Sequence, residues 1–467
     1  MEKQYTFGGK FDEMKRNIEN YLEAWKDSPK RKPLMIRGAR QVGKTFIVNS
    51  FGKTHFEYYL SVNLEQDRNL QTVFASNNPE IIINELTSLH NVPVIAGKTL
   101  LFVDEIQASP AAIASLRYFY EQTPGLHIIA AGSLLDHTLN EVKYSMPVGR
   151  VEYAYLYPLN FMEFCTALGE TGLCEYMRDF TPDKNFSGAI HSRIADYLRL
   201  YFFIGGMPEA IQTYIDTGNL IEVEKVHSNI LTSLEYDFAK YGTRKEQDFL
   251  KSSLHYVANN IGRKVKYVNI DRKAHSSQLK EALLKLEMSR VIHLVRKAKS
   301  VNPPITQYVD NDTFKPVFMD IGLANHLAQI RLTDIKNLCT DFEGALAEQF
   351  VGQEFIASSS FYNESKLYYW MREAKNSNAE IDYLLQIENE IYPVEVKAGT
   401  TGTLKSLQVY LGTADKQKGI RFNLDLPNYG NNLQAAIRVN NQNRSIIYSL
   451  ISLPLYFAGI IGDMKLM

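Results

Sequence analysis

Two short segments carry side chains that together can hold a polyphosphate and a divalent cation. The first is Gly38-Ala39-Arg40-Gln41-Val42-Gly43-Lys44-Thr45. Its glycines let the backbone curl with N–H groups pointing inward, and the helix that begins at Thr45 adds the positive end of its dipole. Lys44 is then placed to reach the β- and γ-phosphates, and the Thr45 hydroxyl to complete a magnesium shell. The second segment is Leu100-Leu101-Phe102-Val103-Asp104-Glu105. Asp104 ends a buried apolar strand, where open α/β sheets put their ligands, and can hold magnesium directly or through water. Glu105 is the candidate base that orients an attacking water, an exposed loop acid being the plain alternative. ATP and Mg2+ are the cofactors that these two segments imply.

Other residues could complete this site. Ser133 follows the apolar run Leu126-His127-Ile128-Ile129-Ala130-Ala131-Gly132 and is read as a γ-phosphate or water sensor, or as a turn serine. Arg150 is read as an arginine finger for its own or a neighbouring site, with a surface salt bridge as the competing reading. Arg37, Arg40 and Lys32 flank the loop, facing either phosphate or solvent.

A second constellation lies far downstream. Asp382, Glu395 and Lys397 fit the (P)D…(D/E)xK spacing of magnesium-dependent nucleases, in which two carboxylates hold the metal and a lysine polarises water or phosphate. If Asn389-Glu390 is a two-residue turn, Asp382 faces Lys397 and Leu384 faces Glu395. Alternation along the strands then puts Asp382, Glu395 and Lys397 on one sheet face. Glu348, on a preceding amphipathic helix, could supply a third acid. An ordinary solvated hairpin with alternating Glu and Lys is the competing reading.

The elements that position these residues read as α/β. Strand-like runs at 33–37, 56–62, 99–103 and 126–130 alternate with helical patterns at 79–89 and 111–120, which marks a parallel sheet covered on both faces. From about Val151 to Ile230 the text is helical and aromatic, broken at Tyr157-Pro158-Leu159 and Gly205-Gly206-Met207-Pro208. Helical spacing at 249–259 and 276–286 followed by Val291-Ile292-His293-Leu294-Val295 is the order of a winged helix-turn-helix. Its basic residues, Arg272, Lys273, Lys280 and Lys285, are diluted by Glu281 and Glu287, so a spacer or interaction module competes with a DNA reader. Val301-Asn302-Pro303-Pro304 reads as a boundary. Beyond it come a helix at 342–357, strands at 367–371, 381–387 and 391–397, and a helix near 404–411. The expected domains are 1–165, an ATPase unit; 166–300, a helical lid and winged helix; and 301–467, a second α/β unit.

Bulk properties agree with a folded, soluble chain. In 467 residues, 45% are apolar and 22% charged, and the formal charge of -1 excludes a globally basic nucleic-acid binder. Cys165, Cys174 and Cys339 lack CxxC spacing, so neither a zinc site nor a disulfide framework is expected, and a reducing cytoplasm fits. The N-terminus has no signal-peptide core. The apolar stretch 450–461 is broken by Ser452 and Pro454 and falls short of the ~20 residues that span a bilayer.

These residues carry a resemblance. Residues 37–45, Leu101-Phe102-Val103-Asp104-Glu105-Ile106-Gln107, Ala130-Ala131-Gly132-Ser133, and Val148-Gly149-Arg150 with Tyr157-Pro158-Leu159 resemble a bacterial and archaeal family of AAA-like ATPases related to archaeal-type signal-transducing (STAND) ATPases. Gly205-Gly206-Met207-Pro208-Glu209-Ala210 and Phe318-Met319-Asp320-Ile321-Gly322-Leu323 resemble that family's later signatures, so the likeness covers nearly the whole chain. It implies an ATPase domain, a winged helix and a restriction-endonuclease-like C-terminal domain, with Glu348 as that fold's third acid. The expectation is an Mg-dependent ATPase acting on or near DNA. The alternative is a nucleotide-gated signalling switch, with a protein partner or a second copy and a C-terminal domain that recognises without cutting. A small-molecule kinase lacks any acceptor motif.

Overall fold

The structure, a computed structural model, describes residues 14–132, 147–182, 184–240, 242–299, 302–330, 341–372, 379–398, 403–439 and 442–464. Strands β1 (Leu34–Arg37), β2 (Tyr58–Asn63), β3 (Thr99–Asp104), β4 (His127–Gly132) and β5 (Glu152–Tyr155) form a five-stranded sheet in the order β2-β3-β4-β1-β5. Every pairing is parallel. β4 therefore stands between the strand that enters the phosphate loop and the strand that ends at Asp104. Both faces are buried: Leu34, Ile36, Leu100, Phe102 and Ile129 pack to one side, and Met35, Leu101, Val103, Ile128 and Ala130 to the other. This two-sided burial is why the strands read as unbroken apolar runs.

Helices α1 (Ile18–Asp27) and α2 (Lys44–His55) cover the first face through Ile18, Leu22, Ile47, Val48 and Phe51. Helices α3 (Pro79–His90) and α4 (Pro110–Gln122) cover the second through Ile82, Leu86, Ile113 and Leu116. Each of the latter starts with a side-chain cap, Asn78 or Ser109, followed by proline at its first position.

Next come α5 (Phe161–Ala167), α6 (Thr171–Arg178), α7 (Gly188–Ile204), α8 (Pro208–Thr217), α9 (Leu220–Asp237), α10 (Arg244–Asn259) and α11 (Ser276–Met288), then β6 (Ile292–Ala298). The order helix, turn, helix, strand is present from α10 to β6. β6, however, pairs antiparallel with β7 (Val309–Phe318) and parallel with β8 (Tyr368–Met371). With β9 (Glu380–Ile387), β10 (Glu390–Val396), β11 (Lys418–Asn423), β12 (Asn428–Val439) and β13 (Gln442–Pro454), these strands form an eight-stranded mixed sheet in the order β12-β13-β11-β10-β9-β8-β6-β7. The segment Asn302-Pro303-Pro304 thus links two strands that pair with each other. The fold is α/β throughout, a parallel sheet followed by helices and a mixed sheet.

Of three further helices, α13 (Asp341–Ala357) and α14 (Lys405–Ala414) pack against this second sheet, while α12 (Ile321–Leu327) packs on α7, α9, α10 and α13. α13 was expected to be amphipathic, but from Gln349 to Ile356 every side chain is buried. It lies under β7, β10, α12 and the 3-10 helix Leu455–Ile460, so no face is left for water. The apolar stretch near the C-terminus is the end of β13 and that 3-10 helix, and it is core. Among the described residues no helix is long and apolar enough to cross a membrane.

One joint holds the three regions together. Leu159 N–H donates to Gly206 O at 2.7 Å, and Gly206 N–H donates to Asp320 Oδ2 at 2.5 Å. Asp320 also caps α12 through Leu323 N–H at 3.0 Å, and burial pushes its carboxyl up to about 6. The Tyr201 hydroxyl donates to Leu159 O at 2.6 Å and accepts from Gln353 Nε2 at 2.8 Å, while Glu354 Oε1 accepts from Phe161 N–H at 2.9 Å. The segments 157–159, 205–208 and 318–322 therefore meet. A Cβ on Gly206 would lie 2.1 Å from Leu159 O, a backbone atom that cannot swing aside. Gly206→Ala is expected to cost about 1–3 kcal/mol of stability by overpacking, measured as a lower midpoint of denaturant unfolding.

Candidate nucleotide site and a second charged cluster

The loop between β1 and α2 takes a shape that its glycines make possible. Gly43 caps α2 with φ 95°, in the left-handed region, and Gln41 is also left-handed at φ 63°. A Cβ on Gly38 would fall 2.3 Å from Leu156 O. Lys44, buried at the start of α2, donates from Nζ to Gly38 O at 2.9 Å and Ala39 O at 2.7 Å, so its ammonium points across the mouth of the loop. Burial brings its amine down to about 8, against the pull of Glu105 and Asp104.

The Thr45–Asp104 half is assembled across the sheet. Thr45 Oγ1 donates to Asp104 Oδ2 at 3.0 Å, although the two are 59 residues apart. Asp104 Oδ1 accepts from Glu105 N–H at 3.0 Å, which orients the carboxylate. Glu105 itself is left-handed at φ 49°, and its carboxylate accepts from Gln107 Nε2. The predicted residues Gly38 to Thr45, Asp104 and Glu105 are thus brought together. Thr45 and Asp104 form a paired oxygen set suited to a small divalent ion beside the loop.

Other expected members are not seen in this set. Ser133 lies outside the described residues. Arg150 precedes β5, whose Glu152 stands beside Leu34, so it sits at the opposite end of the sheet from the loop after Arg37. That separation is a strand length, roughly 10 Å. Its guanidinium there pairs with Glu121 at 3.0 Å. Arg40 turns to Asp237 at the end of α9, at 2.6 Å, and Arg37 lies 4.1 Å from the Tyr153 ring centroid.

Three residues escaped sequence reasoning. Arg16 is buried and donates to Val42 O at 3.2 Å and Tyr157 O at 2.8 Å, with its Nε 3.2 Å from Glu163. It ties the phosphate loop to the segment that begins the joint described above. Asn63, opposite Asp104 on β2, reaches Asp104 Oδ2 at 3.4 Å. Arg290 arrives from the turn after α11, stacks 4.7 Å from the Tyr155 ring centroid, and its charge reaches Lys44. No local pattern marks any of the three, since each acts through a distant backbone or sheet neighbour.

The C-terminal hairpin turns at Glu388-Asn389, one residue earlier than expected, with Glu388 at φ 52°. Pro393 pairs with Leu384 and Val394 with Tyr383, so the next step sets Glu395 opposite Asp382, not Lys397 opposite Asp382. The slip is two residues, and an even slip preserves the face of every side chain. Asp382, Glu395 and Lys397 therefore do cluster, and Glu348 joins them from α13. Lys397 Nζ lies 2.5 Å from Glu395 Oε1, and Asp382 Oδ2 accepts from Val396 N–H at 2.8 Å.

Two further residues fill the cluster. Lys315 on β7 lies 3.2 Å from Glu348, 3.2 Å from Glu380 and 3.9 Å from Asp382. Burial would lower its amine, but these carboxylates hold it well above its ordinary value. Burial, reinforced by Asp382, pushes Glu348 up to about 8 and Glu395 up to about 7. Among the described residues no three His, Cys, Asp or Glu side chains are grouped so as to hold a metal ion. Two of the four basic residues of the helix-turn-helix order are paired internally, Lys280 with Asp312 at 2.6 Å and Lys285 with Glu281 at 3.1 Å.

Comparison with known proteins agrees with the first site. Residues 30–165 match the model of an AAA domain. Residues 195–334 and 343–444 match two domains of unknown function, DUF8612 and DUF4143. No curated protein matches the chain. Among solved structures, ORC2 of Aeropyrum pernix in ADPNP-ADP complexes is similar at 13% identity and a TM-score of 0.36, over 69% of this chain and 94% of that one. The RuvB Holliday junction branch migration motor of Thermotoga maritima is similar at 13% identity and a TM-score of 0.29, over 63% and 92%. The chain therefore carries an AAA-type P-loop ATPase domain.

A polyphosphate beside Lys44 favours its charged form, so binding raises the amine from about 8. ATP binding near pH 8 is expected to take up a proton onto Lys44, seen in calorimetry as a dependence of binding heat on buffer ionisation enthalpy. Affinity is expected to hold steady below that pH and to fall as pH rises above it. Lys44→Arg, charged throughout, is expected to bind more weakly with no such fall.

Proposed function

We propose that the chain is an Mg-dependent ATPase whose nucleotide state is read by the helical region and the C-terminal sheet, a nucleotide-gated switch with a non-cleaving C-terminal domain. The observation that carries this reading is the Lys44–Thr45–Asp104 arrangement on a five-stranded parallel sheet. The residues 38–45 would cradle the phosphates, with Lys44 on the β- and γ-oxygens. Thr45 and Asp104 would hold the magnesium ion, which when bound supplies charge neutralisation for the transferring phosphoryl group. Glu105, released from Gln107, orients the water. Ser133 as sensor and Arg150 as a finger acting on a neighbouring copy complete the proposal. Of the expected parts 1–165, 166–300 and 301–467, which would move against one another, β6 goes with the last, because it pairs with β7.

Support for coupling comes from contiguity. Arg16 bridges Val42 and Tyr157, a Cβ on Gly43 would lie 3.5 Å from Pro208 Cγ, and Gly206 joins Leu159 to Asp320. A shift of the loop on binding would be felt by rigid neighbours on both sides. Internal pairing of Lys280 and Lys285 supports an interaction module over a DNA reader.

A second reading, metal-dependent cleavage of DNA, is supported by the shared face of Glu348, Asp382, Glu395 and Lys397. ATP turnover with and without DNA separates the two. Lys44→Ala is expected to abolish turnover. Glu105→Gln is expected to slow it by roughly 100-fold or more while leaving an ATP-bound state that still engages its partner. Turnover indifferent to DNA, with no cleavage by wild type, is the expected result. DNA stimulation together with cleavage lost in Glu395→Ala would replace the switch reading with the nuclease one, and turnover surviving Lys44→Ala would sink both.

A further inference from the structure

We infer that the Lys315 ammonium is the built-in cation of the C-terminal carboxylate cluster, so that the cluster binds no divalent metal ion and instead clamps the 260–266 segment to the sheet. This deepens the non-cleaving switch reading. Lys315 is almost wholly buried, its side chain 3% exposed. Its Nζ has carboxylates of Glu348, Glu380 and Asp382 within 3.9 Å, and the rings of Tyr369 and Tyr383 lie 5.3 and 6.0 Å away. Ion pairs and ring faces together satisfy a buried ammonium. A magnesium-sized ion needs oxygens at about 2.0–2.1 Å in near-octahedral array. Here the oxygens from α13 and β9 converge on nitrogen, and a second cation among them would meet like charge in a poorly solvated place.

The charge balance points the same way. Four carboxylates, Glu348, Glu380, Asp382 and Glu395, are faced by three ammoniums, Lys315, Lys397 and Lys264. A divalent ion would overshoot what remains. Access is narrowed as well. Lys264 lies 2.6 Å from Glu380, Val265 N–H donates to Phe314 O at 3.1 Å, and a Cβ on Gly262 would lie 3.0 Å from Glu348 Oε2. The turn after α10 therefore lies over Glu348 and Glu380 and would crowd a phosphodiester approaching from its side. One oxygen, Glu395 Oε2, is buried without a hydrogen-bond partner. It is the ligand a metal would find first if the Lys315 charge were removed.

The test is Mn2+ binding to the nucleotide-free full chain, read by electron paramagnetic resonance. Wild type is expected to show no Mn2+ site that is sensitive to Glu395→Gln. Lys315→Met is expected to gain one site, binding about tenfold or more tighter than any wild-type background, and Lys315→Met/Glu395→Gln to lose it again. A wild-type site abolished by Glu395→Gln would overturn the inference, as would a folded Lys315→Met protein that gains none. If Lys315→Met does not fold, the comparison of wild type with Glu395→Gln decides alone. ATP turnover of the same wild-type preparation, against Lys44→Ala, reports separately on the nucleotide site.

Discussion

Everything beyond the first sheet depends on one backbone contact, the approach of Leu159 to Gly206 with Asp320 behind it. No side chain at 206 could occupy that gap, and no other residue type could let the chain pass so close. The contact lets Tyr201, Phe161, Phe202 and Phe350 share a single core with Ile36 and Phe102 of the ATPase sheet and Leu453 of the last strand. Buried polar groups then become obligatory: Gln353, Gln349 and Glu354 of α13 satisfy backbone groups of Ile321, Phe318 and Phe161. The helix that carries Glu348 to the second cluster is the same one that locks the joint.

The two charged sites solve opposite electrostatic problems. At the phosphate loop, burial destabilises the Lys44 charge and the Glu105 and Asp104 carboxylates only partly compensate, so an incoming polyphosphate would relieve a tension already present. In the C-terminal cluster the carboxylates already have their cations. Lys315, Lys397 and Lys264 meet four acids, and the cost of burying them is offset in part within the protein, Glu348 and Glu395 still being held above the usual carboxylate range by burial. One arrangement is poised for a ligand; the other carries cations of its own.

Much of this was legible in the residues. The loop 38–45 and the Asp104-Glu105 pair could be assigned because their chemistry needs particular types at particular spacings, and two-sided burial writes a parallel strand as a plain apolar run. The shared face of Asp382 and Glu395 was legible too, since an even register slip leaves alternation intact. Other features were not. β12 and the first part of β13 run through Asn, Gln and Arg and carry no strand signal, because their order comes from pairing with each other. α13 has no amphipathic face to recognise, because it is buried on all sides from Gln349 onward.

The sequence by itself determined the phosphate loop, the acid that ends β3 and the strands that carry them, because these rest on local conformation and on residues close in the chain. Only the tertiary structure decided that Arg16 buttresses the loop, that Arg150 faces Glu121 away from it, and that β6 enters the second sheet. It alone decided that Lys315, 33 residues from Glu348, lies among the acids. Spacing along a strand can say which side chains share a face, but the identity of the group that meets that face is set by packing between elements distant in the chain.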